Sequence, residues 1–202
     1  MFVNGGGDGG STVTMDPNSG SSVSIVLDGF VPNGSPSLFE PRGRYFYAAS
    51  YTQPFEASIF SVDPATGLLS GVDFAPLDDM PLTLAIDPTG RFLYYAGRLE
   101  IGGFGVGGWV IDQKTGELTP ISNSVMLGTL TNNAEAYELA VDSSGKFLYL
   151  LFHYTNPGSP AAVFYGLSID QNTGALTQLP GSPFHLSAPA TANALALTGS
   201  IQ

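Results

Sequence analysis

The segment Asp87-Pro88-Thr89-Gly90-Arg91-Phe92-Leu93-Tyr94 recurs as Asp142-Ser143-Ser144-Gly145-Lys146-Phe147-Leu148-Tyr149, and more loosely as Glu40-Pro41-Arg42-Gly43-Arg44-Tyr45-Phe46-Tyr47. In each copy a tight turn ending in glycine leads into a run of aromatic and aliphatic residues, which is typical of a β-strand. The turn glycines recur at intervals of about 50 residues, a period found in repeat-built β folds. The repeat therefore predicts a fold assembled from similar β units.

A second turn accompanies the first along the chain. It reads Asp63-Pro64-Ala65-Thr66-Gly67, Asp112-Gln113-Lys114-Thr115-Gly116 and Asp170-Gln171-Asn172-Thr173-Gly174, with a more divergent copy at Asp16-Pro17-Asn18-Ser19-Gly20. Strands are predicted on both sides of each turn, so one unit is a four-stranded antiparallel meander. Four strands in roughly 40 to 55 residues are typical of a β-propeller blade.

The spacing predicts an all-β propeller domain spanning 1–202, with about four blades. We expect blades at about 35–75, 81–122 and 136–180, and a fourth assembled from 1–31 and 193–198. Residues 1–4 align with a second strand and 194–198 with a first strand, so pairing between the two ends would close a four-bladed ring. The alternative is that the chain forms part of a larger ring. That ring would have seven blades, or eight blades contributed by the two chains of a homodimer.

Composition narrows the functional classes. The chain has 43% hydrophobic residues, which supports a packed core, and its 26 Gly and 15 Pro favour short strands over long helices. A formal net charge of −11 opposes binding to nucleic acid. No apolar run reaches the ~18 residues of a membrane span, so we expect a soluble protein.

The cysteine count and the N-terminal residues bear on the possible chemistry and on the cellular compartment of the protein. The absence of cysteine excludes disulfides, thiolate metal sites and cysteine nucleophiles. The N-terminus has neither the basic start nor the apolar stretch of a signal peptide, although an extracytoplasmic origin from a secreted precursor is compatible with it. The compartment is therefore left open, and no cofactor is predicted.

On the two turn motifs quoted above, the chain resembles the lactonase family of β-propellers, which comprises 6-phosphogluconolactonase-like and YVTN-type repeat proteins. The family repeat reads roughly Asp-Pro-x-Gly-Arg-Phe-Leu-Tyr and then Ile-Asp-x-x-Thr-Gly-x-Leu-Thr, and Ser182-Pro183-Phe184 is similar to its link between blades. The resemblance implies a propeller and a lactone-hydrolysing activity. Its matched motifs are scaffold motifs, and active members usually have seven blades, so no catalytic residue is carried over.

Alternating strands place both turn types at one end of the blades and the variable loops at the other, where binding residues normally lie. At that end Arg98 and His153 are the predicted catalytic residues. Arg98 would hold a carboxylate or phosphate, and His153 would act as general base toward a water attacking a lactone carbonyl. The alternative is a solvated Arg98 paired with Glu100, and a packed His153. The predicted ligand-binding residues are Glu56, Glu100, Asn132, Glu135 and Tyr154.

Three further patterns have structural interpretations. Asp78 and Asp79 offer oxygen ligands for calcium, but their spacing favours an exposed acidic turn, so no metal site is predicted. Arg44, Arg91 and Lys146 occupy one position after the turn glycine, which predicts a structural role in every repeat. The aromatic residues that follow them, such as Phe92 and Tyr94, are predicted to pack between blades.

Three functions remain open at this point. The first is a non-catalytic module that binds a small-molecule or protein partner through its loop-bearing end. The second is a lactone hydrolase of the 6-phosphogluconolactonase-like type. The third is a fragment or half-ring without independent activity.

Overall fold

The computed structural model describes residues 2–4, 10–15, 22–26, 35–122, 124–128, 134–154 and 162–185. Within these ranges every regular element is a β-strand and all strand pairing is antiparallel. The prediction of an all-β fold is therefore confirmed. None of the described segments forms a helix of the length and apolar character needed to cross a membrane.

The strands form four sheets in the described part of the chain. The first sheet contains β1 (Phe2–Asn4), β2 (Gly10–Met15) and β3 (Ser22–Val26). The second contains β4 (Ser37–Phe39), β5 (Tyr45–Ala49), β6 (Glu56–Val62) and β7 (Leu69–Pro76). The third contains β8 (Met80–Ile86), β9 (Phe92–Arg98), β10 (Phe104–Ile111), β11 (Leu118–Pro120) and β12 (Val125–Gly128). The fourth contains β13 (Ala134–Val141), β14 (Phe147–Tyr154), β15 (Ala162–Ile169), β16 (Leu176–Gln178) and β17 (Phe184–His185).

The second, third and fourth sheets are the meanders that the repeat predicts, each running from an inner to an outer strand in sequence order. The inner strands β4, β8 and β13 lie side by side, so the three sheets are arranged like propeller blades. One detail differs from the prediction of four strands. In the third and fourth sheets two short strands share the outer edge, since β11 and β12 both pair with β10, and β16 and β17 both pair with β15. The strand predicted at 194–198 lies outside the described residues.

The first turn motif is held together by its aspartate. Asp87 is buried, and its Oδ1 accepts hydrogen bonds from the backbone N–H groups of Arg91 at 2.6 Å and Phe92 at 2.7 Å. Gly90 has a φ of +72°, a conformation that residues with a Cβ rarely adopt. Asp142 repeats this arrangement in the fourth sheet. The Asp-x-x-Gly pattern is thus a locally specified turn.

The second turn motif is tied to the first in the third and fourth sheets. Asp112 Oδ1 accepts from the backbone N–H of Lys114 at 2.7 Å and of Thr115 at 3.0 Å. The side-chain amide of Gln113 donates to the Gly90 carbonyl at 2.6 Å. Both turns therefore lie at one end of the sheet, as predicted, and we call this the turn-bearing end.

Neighbouring sheets are joined at the turn-bearing end by a repeated pair of hydrogen bonds. Arg44 Nη1 donates to the Gln113 carbonyl at 2.8 Å, and the Tyr47 hydroxyl donates to the Gly116 carbonyl at 3.0 Å. The corresponding bonds of the next sheet run from Arg91 Nη1 to the Gln171 carbonyl and from the Tyr94 hydroxyl to the Gly174 carbonyl, both 2.9 Å. The structural role predicted for Arg44 and Arg91 is confirmed.

The core consists of apolar layers between adjacent sheets. The layer between the second and third sheets includes Tyr47, Ile59, Leu93 and Trp109. The layer between the third and fourth sheets includes Phe92, Tyr94, Phe104, Leu150 and Phe152. The rings of Phe104 and Phe152 stack with their centroids 3.9 Å apart. The prediction that the aromatic residues pack between blades is confirmed for these positions.

Candidate functional site

Those predicted site residues that the structure describes lie at the end of the sheets opposite the turns, which we call the loop-bearing end. In the third sheet Arg98 is the last residue of β9, opposite Phe104 and Met80. In the fourth sheet His153 occupies the equivalent register position of β14, opposite Glu135 and Ala162. The backbone therefore brings Arg98, Glu135 and His153 to the same end of two adjacent sheets.

Strand alternation separates the two predicted catalytic positions. Arg98 lies opposite Phe104, whose ring packs in the layer between the third and fourth sheets, so Arg98 belongs to the face of β9 that borders the fourth sheet. Along β14, Leu150 and Phe152 border the third sheet, and alternation continues this set to position 154. Positions 98 and 153 therefore belong to successive gaps between sheets, and position 154 is the one that shares the gap with Arg98.

The other predicted ligand-binding residues are dispersed along the loop-bearing end. Glu56 begins β6 and accepts a hydrogen bond from the Ser58 hydroxyl at 3.3 Å. Glu100 is exposed in the loop after β9. Arg98 and Glu100 both belong to the described part of the chain, and they form no ion pair with each other. Tyr154 ends β14 opposite Ala134. Asn132 lies outside the described residues.

A cleft opens at the loop-bearing end between the second and third sheets. It has a volume of about 280 Å³ and continues into a shallower depression of about 690 Å³. Carboxylates, hydroxyls and aromatic rings line the two parts together. The lining residues include Phe55, Leu77, Asp78, Asp79, Tyr95, Glu100, Trp109 and Ser124.

Tyr95 and Asp79 organise the cleft wall. The Tyr95 hydroxyl donates to Asp79 Oδ2 at 2.5 Å and lies 3.4 Å from the Ser124 hydroxyl. Burial raises the pKa of Tyr95 well above its ordinary value, and the hydrogen bond to Asp79 raises this pKa further. Asp79 Oδ1 accepts the backbone N–H of Glu100 at 2.8 Å. The phenol is therefore a neutral donor, and Asp79 fixes the loop that carries Glu100.

This arrangement supports the acidic-turn interpretation of Asp78 and Asp79. Asp79 is committed to two hydrogen bonds, whereas Asp78 is exposed at the rim. No group of three or more His, Cys, Asp or Glu residues suited to a metal ion occurs among the residues that the structure describes. The two carboxylates thus have different roles, one structural and one available to solvent.

Sequence reasoning did not identify Tyr95 and Trp109 as cleft residues. Their rings lie against each other, with centroids 4.9 Å apart, and Trp109 is 1% exposed. The sequence did contain one indication that position 95 is special, because Tyr95 occupies the position of Ala48 and Leu150 in the other repeats. A hydroxyl at an otherwise apolar repeat position marks a local specialisation of the third sheet.

Comparisons with known proteins agree with the lactonase-like character of the repeats. Over 82 residues, or 41% of its length, the chain is 35% identical to a 6-phosphogluconolactonase of Serratia proteamaculans (strain 568). This segment covers 24% of that relative. No protein-family profile matches the chain.

Similar solved structures include two Bacteroides proteins provisionally described as 6-phosphogluconolactonases. The protein from Bacteroides uniformis ATCC 8492 matches 89% of this chain at 18% identity, with a TM-score of 0.64 and 49% of its own length covered. The protein from Bacteroides fragilis NCTC 9343 matches 87% of this chain at 16% identity, with a TM-score of 0.54 and 63% coverage. The chain therefore has a lactonase-like β-propeller fold and spans about half of the first of these two solved structures and somewhat under two thirds of the second.

Proposed function

We propose that the chain is a ligand-binding module of a lactonase-like β-propeller, and that the cleft at its loop-bearing end holds a small, neutral, polyhydroxylated molecule. The observation that carries the proposal is one concave site whose wall combines exposed carboxylates and a serine hydroxyl with the buried rings of Tyr95 and Trp109. Because the similar proteins are named as 6-phosphogluconolactonases, we infer that the ligand belongs to the class of sugar-derived lactones. A lactone ring with several hydroxyl groups suits such a wall.

The charges of the cleft favour a neutral ligand over a phosphorylated one. Asp78 and Glu100 are exposed at the rim, and the whole chain has a formal net charge of −11. Carboxylates accept hydrogen bonds from sugar hydroxyls and repel a phosphate group. We therefore expect the unphosphorylated sugar lactone to bind more tightly in this cleft than its phosphate ester.

The single tryptophan of the chain provides a direct test. Trp109 lines the cleft, so its fluorescence reports on occupancy without a label. We expect a saturable fluorescence change on titration with a neutral sugar lactone or its sugar alcohol, and a weaker response to the phosphorylated lactone. Glu100→Gln should weaken binding about tenfold, because one charge-assisted hydrogen bond contributes about 1.5 kcal/mol. Absence of a response to every one of these ligands would refute the proposal.

A matched control variant lies at the turn-bearing end. Glu117 is an exposed carboxylate that follows the Asp112–Gly116 turn, far from the loops that form the cleft. Glu117→Gln changes the net charge by the same amount as Glu100→Gln. It should leave the titration unchanged, which separates a local contact from the overall charge of the protein.

A second candidate function is lactone hydrolysis, which the 35% identity to a 6-phosphogluconolactonase over 82 residues favours. In this reaction a water oxygen attacks the lactone carbonyl carbon, the ring C–O bond breaks, and a hydroxy acid forms. Because positions 98 and 153 belong to successive gaps between sheets, this assignment requires a ligand that reaches across the loop-bearing end of the fourth sheet. Arg98 would then hold the carboxylate or phosphate of that ligand, and His153 would accept the proton of the attacking water. Glu135, opposite His153 in register, would orient it.

Hydrolysis is tested with Arg98→Ala and His153→Ala. If these residues have the proposed roles, each variant should reduce lactone opening, followed by acid release at constant pH, by at least a hundredfold toward the uncatalysed rate. Arg42→Ala at the turn-bearing end is the control cation and should retain the rate. An unchanged rate of hydrolysis in both Arg98→Ala and His153→Ala would refute the catalytic assignment. The binding proposal would be unaffected, because the tryptophan titration tests it separately.

A further inference from the structure

The cleft and the shallower depression beside it have one wall in common. Pro76, Leu77, Asp78 and Glu100 line both of them. The two cavities therefore meet at the loop-bearing end. A ligand seated in the cleft can extend along this shared wall into the depression.

The cleft alone is small for a ligand site. Its volume of about 280 Å³ lies just below the range of about 300–1,000 Å³ that is usual for ligand pockets, whereas the 690 Å³ of the depression lies within that range. A single sugar ring in the cleft would leave the depression to solvent. The volumes therefore favour a ligand with two parts, one in each cavity.

The depression offers an apolar surface to the second part of such a ligand. Pro54 is exposed and Phe55 is half-buried, and these two residues line the depression but not the cleft. Leu77 is half-buried on the shared wall. A sugar ring has a face of C–H groups, and covering an accessible aromatic ring with that face removes apolar area from water.

The same depression also carries polar groups. The exposed side chain of Gln53 has an amide that both donates and accepts hydrogen bonds. Asp78 and Glu100 are exposed acceptors where the two cavities meet. A purely apolar substituent would leave these groups without a ligand partner, whereas the hydroxyls of a second sugar ring can bond to them.

The floor of the depression is preformed by the backbone. The backbone N–H of Leu77 donates to the Phe55 carbonyl at 2.9 Å, which continues the pairing of β6 with β7 one step beyond Glu56 and Pro76. Phe55 and Leu77 are thereby held side by side. Because little ordering of the chain is needed, binding a second ring here has a low entropic cost.

We propose that the ligand of the cleft is derived from a disaccharide, as a sugar lactone that carries a second sugar ring, and that the depression binds this second ring. The lactone ring lies in the cleft near Ser124, and the glycosidic link passes Asp78 and Glu100. The second ring lays its C–H face on Phe55 and bonds to Gln53. This inference rests on the proposed binding function of the cleft and specifies the class of ligand.

Isothermal titration calorimetry with sugar alcohols of one and two rings tests the proposal without relying on Trp109. Sugar alcohols are used because lactones open in water. Sorbitol represents the part in the cleft, and maltitol and cellobiitol add a second ring through an α or a β link. The better of the two should bind about tenfold more tightly than sorbitol, because the second ring covers Phe55 and Leu77.

Substitutions in the depression should affect the second ring alone. Phe55→Ala should weaken binding of the better disaccharide alcohol about tenfold and leave sorbitol binding unchanged. Gln53→Ala, at an exposed residue whose loss does not threaten folding, should weaken it about fivefold, the effect of one neutral hydrogen bond. Phe74→Ala is the control, since Phe74 is 58% exposed on β7 and lines neither cavity.

The possible failures of the two proposals are distinguishable. If sorbitol binds and neither disaccharide alcohol binds more tightly, the inference is overturned while the proposed function of the cleft stands. A benzyl ether of sorbitol that binds as tightly as the better disaccharide alcohol would assign the depression to an aromatic substituent and would also overturn the inference. Absence of binding by sorbitol and by both disaccharide alcohols would refute both proposals.

Discussion

The hydroxyl of Tyr94 donates a hydrogen bond of 2.9 Å to the carbonyl of Gly174, a residue 80 positions later in the chain. This bond joins the third sheet to the second turn motif of the fourth. Gly174 has a φ of +75°, and a Cβ there would lie 2.6 Å from the ring of Phe92. The turn thus accepts both a hydrogen bond and the close approach of the neighbouring sheet.

Tyr94→Phe should lower the free energy of unfolding by about 1 kcal/mol, because the buried Gly174 carbonyl loses its donor. Urea denaturation followed by circular dichroism measures the change. Tyr45→Phe is the comparison, since the Tyr45 hydroxyl bonds to the Lys114 carbonyl at an exposed position. An equal or larger loss in Tyr45→Phe would contradict the importance of burial at this junction.

Asp87→Ala should destabilise the protein by roughly 2–4 kcal/mol, because the backbone N–H groups of Arg91 and Phe92 lose a buried acceptor. Asp142→Ala is the matched variant in the fourth sheet. Asp142 makes the same bonds but is less buried than Asp87, so its loss should be smaller. Chemical denaturation of both variants tests this ranking, and the reverse order would refute it.

Gly97→Ala should destabilise the third sheet by about 1–3 kcal/mol, because the new methyl group would collide with the backbone carbonyl of Met80. Backbone atoms of a paired strand cannot move aside as a flexible side chain can. Gly71→Ala in β7 has open space around the added methyl group and should be neutral or slightly stabilising. Thermal unfolding of the two variants distinguishes the effect of a collision with the neighbouring backbone from the general effect of replacing glycine by alanine in a strand.

Stability should fall in acid as the turn aspartates are protonated. Backbone N–H groups of the second turn hold the pKa of Asp63, Asp112 and Asp170 below the ordinary value of 3.8. Burial acts to raise the pKa of Glu40, but hydrogen bonds from Arg42 and Arg44 hold it below 4.5. A folded-state pKa below the unfolded one gives stability that is present above the unfolded pKa and lost as the pH falls. The melting temperature should therefore drop below about pH 4, and a constant value down to pH 2 would contradict this.

Stability should also fall in alkali. Burial raises the pKa of Tyr47, Tyr94 and Tyr95 well above the ordinary value of 10.0. Each phenol then binds its proton more tightly in the folded state, so this stability is full below pH 10 and is lost as the pH rises above it. Absorbance at 295 nm should show these tyrosines ionising together with unfolding. Their ionisation in a protein that remains folded at pH 11 would be the contrary result.

The turns were predictable from the sequence because their structure is local. Asp87, Gly90 and Thr115 each have a partner within five residues, so residue type and spacing are sufficient to specify the fold of these segments. The equivalence of Arg44 and Arg91 could also be predicted from repetition. Their acceptors lie about 70 to 80 residues away, and repetition alone does not identify such atoms.

The candidate site was harder to predict from the sequence, because it depends on which faces of neighbouring sheets lie against each other. Asp79 and Tyr95 form one hydrogen-bonded pair across the cleft wall, although 16 residues separate them. Arg98 and His153 occupy the same repeat position, and that equivalence implies successive gaps between sheets. The pairing of these two residues was proposed from their chemistry, which carries no information about strand faces.

The outer edge of the second sheet has a consequence for the behaviour of the protein in concentrated solution. Its edge strand β7 is eight residues long, with one irregularity of pairing at Val72, and exposes Val72 and Phe74, whereas the third and fourth sheets end in strands of two to four residues. Short and interrupted edges resist the addition of foreign strands, and a long apolar edge invites it. Aggregation on heating should therefore begin at β7, and a lysine in place of Val72 would be the first substitution for improving shelf life.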